Sequence, residues 1–405
     1  MAQLSVADAL ARVLADAVPL PSEHVPLADA HGRVLTQDLA ALRTQPPADL
    51  SAMDGYAVRS VDVAEPPVRL RVIGEVPAGR PFERVVGPGE AVRIFTGGVI
   101  PHGADAIVIQ EVTSRDGDDV VITQGSAKGR HVRPQGVDFT AGEALLECGR
   151  SLSARDLALA AAMNHAAVPV HRRPRLGILA TGDELVPPGT PPAPGQIVYS
   201  NGFALMALAR SEGADAIDLG VARDRLDATV EAVRRARALE VDVLVTTGGA
   251  SVGEYDLVQR ALAAEGMALS FWKIAMRPGR PMMHGRLGAI HVLGLPGNPV
   301  SSYVCAILFV VPLLRRLAGM REAGYATEQA VLGCALKKND EREEYMRATL
   351  ATDSGGRLVA TPFPNQDSSL LAPLARADCL LVRPAHAPAA AAGNPCTIIR
   401  LRYPA

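Results

Sequence analysis

The stretch "TTGGASVGEYD", Thr246 to Asp256, has the residue types of an anion site. It follows Val241-Asp242-Val243-Leu244-Val245, a short apolar run that reads as a buried strand. Gly248, Gly249, Ser251 and Gly253 let backbone N–H groups approach a ligand closely, and a helical pattern, "YDLVQRALAAEG", follows. That combination suits a phosphate or pyrophosphate at a helix N-terminus. It is neither a Walker A loop, since no Gly-Lys-Ser/Thr follows, nor G-x-G-x-x-G. A tight strand-to-helix turn is the structural alternative. Asp256 at the helix start stabilises the dipole by only roughly 0.3–1 kcal/mol, and it repels a bare phosphate. A divalent cation, Mg²⁺ first, reconciles the two, because it takes carboxylate and phosphate oxygens together.

Similar chemistry recurs along the chain. "TGDE", with Thr181, Gly182, Asp183 and Glu184, ends another buried-strand pattern, and Asp224 in "RD" follows a third. Ligands of open α/β sheets bind beyond such strand ends. "MRPGRP" sets Arg277 and Arg280 around Pro278-Gly279, either a solvated basic turn or a fixed pair of cations for an oxyanion. "GLPGNP" brings Pro296, Gly297, Asn298 and Pro299 to the start of a long apolar helix. Asn298 reads as an N-cap and Pro299 as the first helical residue, and a second anion-binding N-terminus is the functional alternative. In "SAMDGYAV", Asp54-Gly55 reads equally well as a hairpin turn.

The elements that position these residues follow from texture. Residues 1–46 and 140–174 read as a helical linker domain, with "VADALARVLADAV", "ADAHGRVLTQDLAAL" and "SARDLALAAAMN" as its helices. Residues 47–139 carry short β-branched runs between Gly and Pro turns, an inserted small β-domain. Residues 175–320 alternate strands and helices, which implies right-handed βαβ units and a parallel-rich sheet. Residues 321–405 return to short strands, a C-terminal β-barrel-like domain. The fold class is therefore α/β multidomain.

Composition excludes several classes. The 405 residues are 48% hydrophobic and 21% charged, enough apolar material for a sizeable core. A net charge of -2 gives no support for nucleic-acid binding. No uninterrupted apolar run approaches the roughly 20 residues of a membrane span. The N-terminus lacks the basic start and apolar centre of a signal peptide, so a cytoplasmic location is expected. The five cysteines stand apart without a CxxC pair, and the nine histidines show no HxxxH or HxH, which argues against zinc and Cys–His chemistry.

Seven segments, "SAMDGYA", "IFTGGVIPHGADAIV", "RPQGVDF", "TGDEL", "TTGGASVGEYD", "RPGRP" and "GLPGNPVS", occur in the order of the MoeA-type molybdopterin molybdenumtransferases, the family of the gephyrin and plant Cnx E domains. The resemblance covers nearly the whole chain. It implies an α/β domain like MogA/MoaB and an elongated homodimer whose active cleft is shared with the partner subunit. It also implies a reaction in which adenylyl-molybdopterin and molybdate give molybdenum cofactor and AMP. Other proteins of molybdenum cofactor biosynthesis become expected partners. Matching catalytic positions are Asp54, Thr96, Asp138, Glu184, Asp224 and Asp256, of which Asp54, Glu184, Asp224 and Asp256 are the metal candidates. Arg277, Arg280 and Pro281 match the turn linked to molybdate. "REEYMR" resembles the family's R-x-x-F-x-R and gives Arg347, and "QDSS" resembles its Q-G-S and gives Ser368. The family commonly has Lys where Arg277 and Arg280 stand, and Asp367 replaces a small residue. A non-catalytic scaffold, a molybdopterin adenylyltransferase and a tungstate-handling paralogue are the competing readings.

Overall fold

The structure is a computed structural model that describes residues 3–77, 79–248 and 257–401. Its central element is a six-stranded sheet in the order Asp215–Ala222, Arg175–Thr181, Val243–Thr247, Ile290–Leu295, Met283–Leu287, Ala268–Trp272. The first four strands are parallel, as the βαβ pattern predicts. Met283–Leu287 runs antiparallel to both its neighbours, Ile290–Leu295 and Ala268–Trp272, and only a two-residue turn at Gly288-Ala289 joins it to the former.

Helices cover both faces. Leu226–Ala238 and Leu257–Ala264 bury Val233, Ala236, Val258 and Leu262 on one. Asn201–Ser211 and the long helix from Pro299 to Leu317 lie on the other. That long helix, 19 residues with a mean hydropathy of 1.7, matches a membrane span by length and composition. Its apolar residues are spent on the core: Val304, Leu308, Phe309, Leu313 and Leu314 are fully buried. Its middle, Ala306–Val310, is π-helical. Pro312 follows immediately and has no N–H for the carbonyl four residues back.

The long helix core extends beyond its own domain. Val6, Ala9 and Val13 of helix Val6–Ala15 pack into it, as do Tyr345, Leu380 and Ile399 of the C-terminal segment. The expected linker helix at the N-terminus therefore belongs to the α/β core.

The remaining linker expectation needs correction. The rhythm of "ADAHGRVLTQDLAAL" reads as helix, yet only Leu27–Asp29 makes a single 3₁₀ turn. Ser22–Pro26 pairs with Ala167–His171, and Leu39–Ala40 with Ala144–Leu146. Leu35 and Leu39 are buried with Phe139, Leu146 and Leu152, so cross-strand burial overrides local propensity here. The two segments flanking the insertion do meet, through strand pairing and one helix, Ala154–Ala162, with a Ser153–Asp156 capping box.

Residues 321–401 build a closed barrel. Strands Glu343–Thr352, Leu358–Pro362, Glu328–Leu332, Pro395–Arg400 and Cys379–Arg383 pair in sequence, and the last returns to the first. The inserted domain is a six-stranded sheet in which Gly55–Val58 lies between Ala106–Ile109 and Glu90–Ile94. Asp54-Gly55 is thus not a hairpin turn. A Cβ at Gly55 would stand 2.0 Å from the Val108 carbonyl oxygen, so glycine is required by close strand approach. Gly55→Ala should destabilise the chain by about 1–3 kcal/mol through forced backbone displacement. Chemical denaturation measures this, and an unchanged midpoint would contradict the packing described.

Candidate active site

The carboxyl ends of the parallel strands open into a cleft of about 640 Å³. Thr181, Glu184, Gly248, Pro281, Pro296, Gly297, Asn298 and Pro299 line it, so "TGDE", the strand end at Thr247-Gly248 and "PGNP" meet at one cavity, while Asp224 is not in its lining. Gly182 lies against the Glu184 carboxylate. Gly248 adopts φ +88°, and a Cβ there would approach the Thr181 carbonyl to 2.6 Å, which keeps the two strand ends together. Gly249, Ser251, Gly253 and Asp256 lie outside the described residues.

Several lining residues escaped sequence reasoning. Asn201 donates from Nδ2 to the Gly297 carbonyl at 2.8 Å, so an asparagine that reads as the start of a helix also ties that helix to the "GLPGNP" turn. Tyr199 lines the cleft, and burial pushes its phenol up to about 12. Ser369 and Leu371, from the barrel, close the cleft wall.

The helix N-terminus at Pro299 is not the open anion site that its sequence suggests. Asn298 makes no side-chain cap. The Val300 N–H donates to the Ser368 carbonyl at 3.0 Å, and Asn298 Nδ2 donates to Ser368 Oγ at 2.8 Å. A loop of the barrel therefore satisfies the first free amide of this helix. Ser368 enters the site as a dock between domains.

Arg347 organises that loop. It is 1% exposed and spreads its donors over the Leu370 carbonyl, the Asn365 carbonyl and Gln366 Oε1, at 2.9, 3.3 and 3.3 Å. Burial lowers its pKa, with Asp367 opposing. This commits to the protein the guanidinium that the resemblance assigns to molybdate. Arg347 does border a small cavity of about 230 Å³ shared with Arg277, Pro278, Glu344, Tyr345 and Gln366.

The basic turn is pinned at the domain seam. Met276–Arg277 pairs in parallel with Glu343–Glu344 of the barrel. Arg277 Nη2 lies 2.6 Å from Glu344, whose side chain is 13% exposed, and Nη1 lies 4.0 Å from Asp340. Asp340 is held down at about 2, first by the Arg342 guanidinium and then by the Arg342 N–H. Arg280 is exposed and forms no ion pair among the described residues. The two arginines therefore differ: one is matched by a carboxylate, the other keeps its charge.

The acids fall into separate groups. Asp183 and Asp224 face each other at the cleft's edge, each carboxylate accepting from the other's backbone N–H at 3.4 Å, with Arg223 3.7 Å from Asp183. Asp54 sits on the inserted sheet, where Oδ1 accepts from the Thr96 N–H at 2.7 Å and from Thr96 Oγ1 at 2.8 Å. The Thr96 backbone bond, then its hydroxyl, lowers the Asp54 pKa. Asp138 is exposed, and its N–H donates to the Gln45 carbonyl. Among the described residues no three His, Cys, Asp or Glu gather as a metal site. Of the expected metal set, Asp54 and Asp224 stand in separate groups among the described residues, and Asp256 lies outside them. Asp183 with Asp224 offers the two carboxylates that suffice for Mg²⁺ when phosphate oxygens complete the shell.

Comparison with known proteins reads the same architecture. Residues 4–164 match the model of the MoeA N-terminal region (domain I and II), 177–316 the probable molybdopterin binding domain, and 329–401 the MoeA C-terminal region (domain IV). A molybdopterin molybdenumtransferase of Nostoc sp. is 37% identical over 388 residues, 94% of this chain and 89% of that protein. The chain belongs to the MoeA family. Another family member, molybdopterin molybdenumtransferase 2 of Mycobacterium tuberculosis, is 38% identical over 82% of this chain and 84% of its own. The solved MoeA structure from Pyrococcus horikoshii superposes with a TM-score of 0.86 at 30% identity, covering 99% of this chain and 100% of that one.

Two measurements probe this geometry. Arg347→Lys should destabilise the MoeA-family barrel loop, because one ammonium cannot span acceptors arranged for a planar fork. Each carbonyl left unpaired costs about 1–3 kcal/mol. Hydrogen exchange should quicken at 365–371, and protection equal to wild type would show that Arg347 does not brace the loop. Thr96→Val deletes one of the two donors to Asp54. The Asp54 carboxyl should then titrate closer to its ordinary range by carboxyl NMR, and an unmoved titration would refute the pairing.

Proposed function

We propose that this chain is a molybdopterin molybdenumtransferase that accepts adenylyl-molybdopterin in the strand-end cleft, takes molybdenum from molybdate and releases AMP. The observation that carries the reading is the convergence of "TGDE", the strand end at Thr247-Gly248, Pro281 of the basic turn and "PGNP" on one cavity. The α/β domain supplies most of the cleft lining. The barrel adds Ser369, Leu371 and the pairing that fixes the basic turn, parts that an adenylyltransferase built on the α/β fold alone does not have.

In this reading the backbone around Gly248 and Gly297 receives the phosphates, and Glu184 borders the reacting end of the ligand. Asp183 and Asp224 would hold Mg²⁺, which when bound neutralises charge on the leaving phosphate. Arg280 offers the oxyanion an uncompensated cation. Arg277, matched by Glu344, chiefly fixes the turn's path. Asp54 and Thr96 stand outside the cleft lining, beside the exposed apolar side chains of Met53 and Phe95. A cytoplasmic homodimer in which the partner subunit brings this corner to the cleft accounts for their place. Asp138 belongs with the same domain.

AMP release from adenylyl-molybdopterin, followed against molybdate concentration, tests the activity. Arg280→Ala should raise the half-saturating molybdate roughly tenfold, equivalent to 1.4 kcal/mol, and should leave pterin binding intact. Unchanged molybdate dependence would remove Arg280 from the site. The shared cleft makes a separate demand. Asp54→Asn and Glu184→Gln should each be inactive alone, and mixing them should recover about a quarter of the wild-type rate if subunits reassort in a two-fold dimer. No recovery after demonstrated exchange would place Asp54 outside the partner's cleft.

A further inference from the structure

We infer that Gln3 is a positioning residue for Arg280, so that the first turn of chain before the N-terminal helix sets the affinity of the basic turn for its oxyanion. The inference rests on the molybdate-accepting reading of that turn.

The N-terminal segment is tied to the basic turn's root by backbone. Leu4 bridges Ile274 in parallel, and the Ala275 N–H donates to the Leu4 carbonyl at 2.8 Å. Just behind, Ser5 caps helix Val6–Ala15, whose Val6, Ala9 and Val13 are buried in the main core. Gln3 is therefore held from a rigid base on one side. On the other side, the Ile274 N–H donates to the Arg280 carbonyl at 3.1 Å, which closes the turn on itself. The carboxamide oxygen of Gln3, turned toward the guanidinium, accepts from Arg280 Nε at 3.2 Å and Nη2 at 2.8 Å.

The chemistry of the brace matters more than its presence. Arg277 is held by the carboxylate of Glu344, which cancels its charge locally. Gln3 is neutral. It occupies the Nε–Nη2 edge, restricts the side chain to fewer rotamers, and leaves both the positive charge and the Nη1 donors for an anion. An arginine braced in this way loses less entropy when it binds. A carboxylate at position 3 would brace more strongly and bind the anion less well, because it competes for the same cation.

That opposition gives the test, made in the full chain with Gln3→Ala and Gln3→Glu. Gln3→Ala should raise half-saturating molybdate about fivefold, the loss of one ordinary hydrogen bond. The rate at saturation should stay within about twofold, as expected for a residue acting on ground-state binding. Gln3→Glu should raise the molybdate requirement further while the melting temperature holds or rises. In an Arg280→Ala background Gln3→Ala should add nothing. Calorimetric titration with tungstate repeats the series without turnover. Failure of the wild type to release AMP would thus sink the proposed activity, while the tungstate affinities still judge Gln3. The inference is overturned if Gln3→Glu binds the anion as wild type does, if Gln3→Ala leaves anion affinity unchanged, or if its effect persists in full without Arg280.

Discussion

A short backbone pairing at one seam sets the path of the basic turn beside the cleft. Met276–Arg277, leaving the α/β sheet, lies parallel to Glu343–Glu344 at the start of the barrel's longest strand. The bonds themselves contribute modestly, about 0.5–1.5 kcal/mol each. They last because the surfaces on either side are one core: Tyr345, Leu380 and Ile399 of the barrel share apolar contacts with the long helix that underlies the cleft. A second tie, Ser368 onto the amide of Val300, completes the wall. The ligand site is therefore a property of the seam.

The same seam sorts the positive charge. The basic turn and the family resemblance together offer three arginines for an oxyanion, Arg277, Arg280 and Arg347. The structure engages Arg347 with loop carbonyls and Arg277 with Glu344, and among the described residues Arg280 has no ion pair. The acids are sorted likewise. Asp183 and Asp224 stand as a pair at the cleft's edge, while Asp54 is held low by Thr96 on another sheet.

What the sequence revealed and what it hid follow from range. Strand ends, the glycine turns and the helices of the α/β domain were legible because their signals are local: apolar runs, small residues at turns and helical periodicity. The run from 28 to 42 reads as helix because its apolar spacing fits both periods, and the pairing that settles it lies more than a hundred residues away, Leu39–Ala40 with Ala144–Leu146 and Leu35 with Val170. Arg347 enters as a site candidate through the "REEYMR" resemblance, and Asn298 as an N-cap or anion site. Their partners within the chain lie at 365–370, two carbonyls and a glutamine for Arg347 and the Ser368 hydroxyl for Asn298, which no spacing rule exposes. Asp54 and Glu184 look like members of one metal set in sequence, but the fold of one chain places them on different sheets.

Anomalous diffraction from crystals containing tungstate, the heavier isostere of molybdate, examines the central claim most directly. The account places the tungsten peak at the seam, in contact with Arg280 and facing the cleft wall formed by Pro281 and Ser369. A peak bonded to Arg347 with the 365–371 loop displaced, or tungsten found only away from the 277–281 turn, would contradict it.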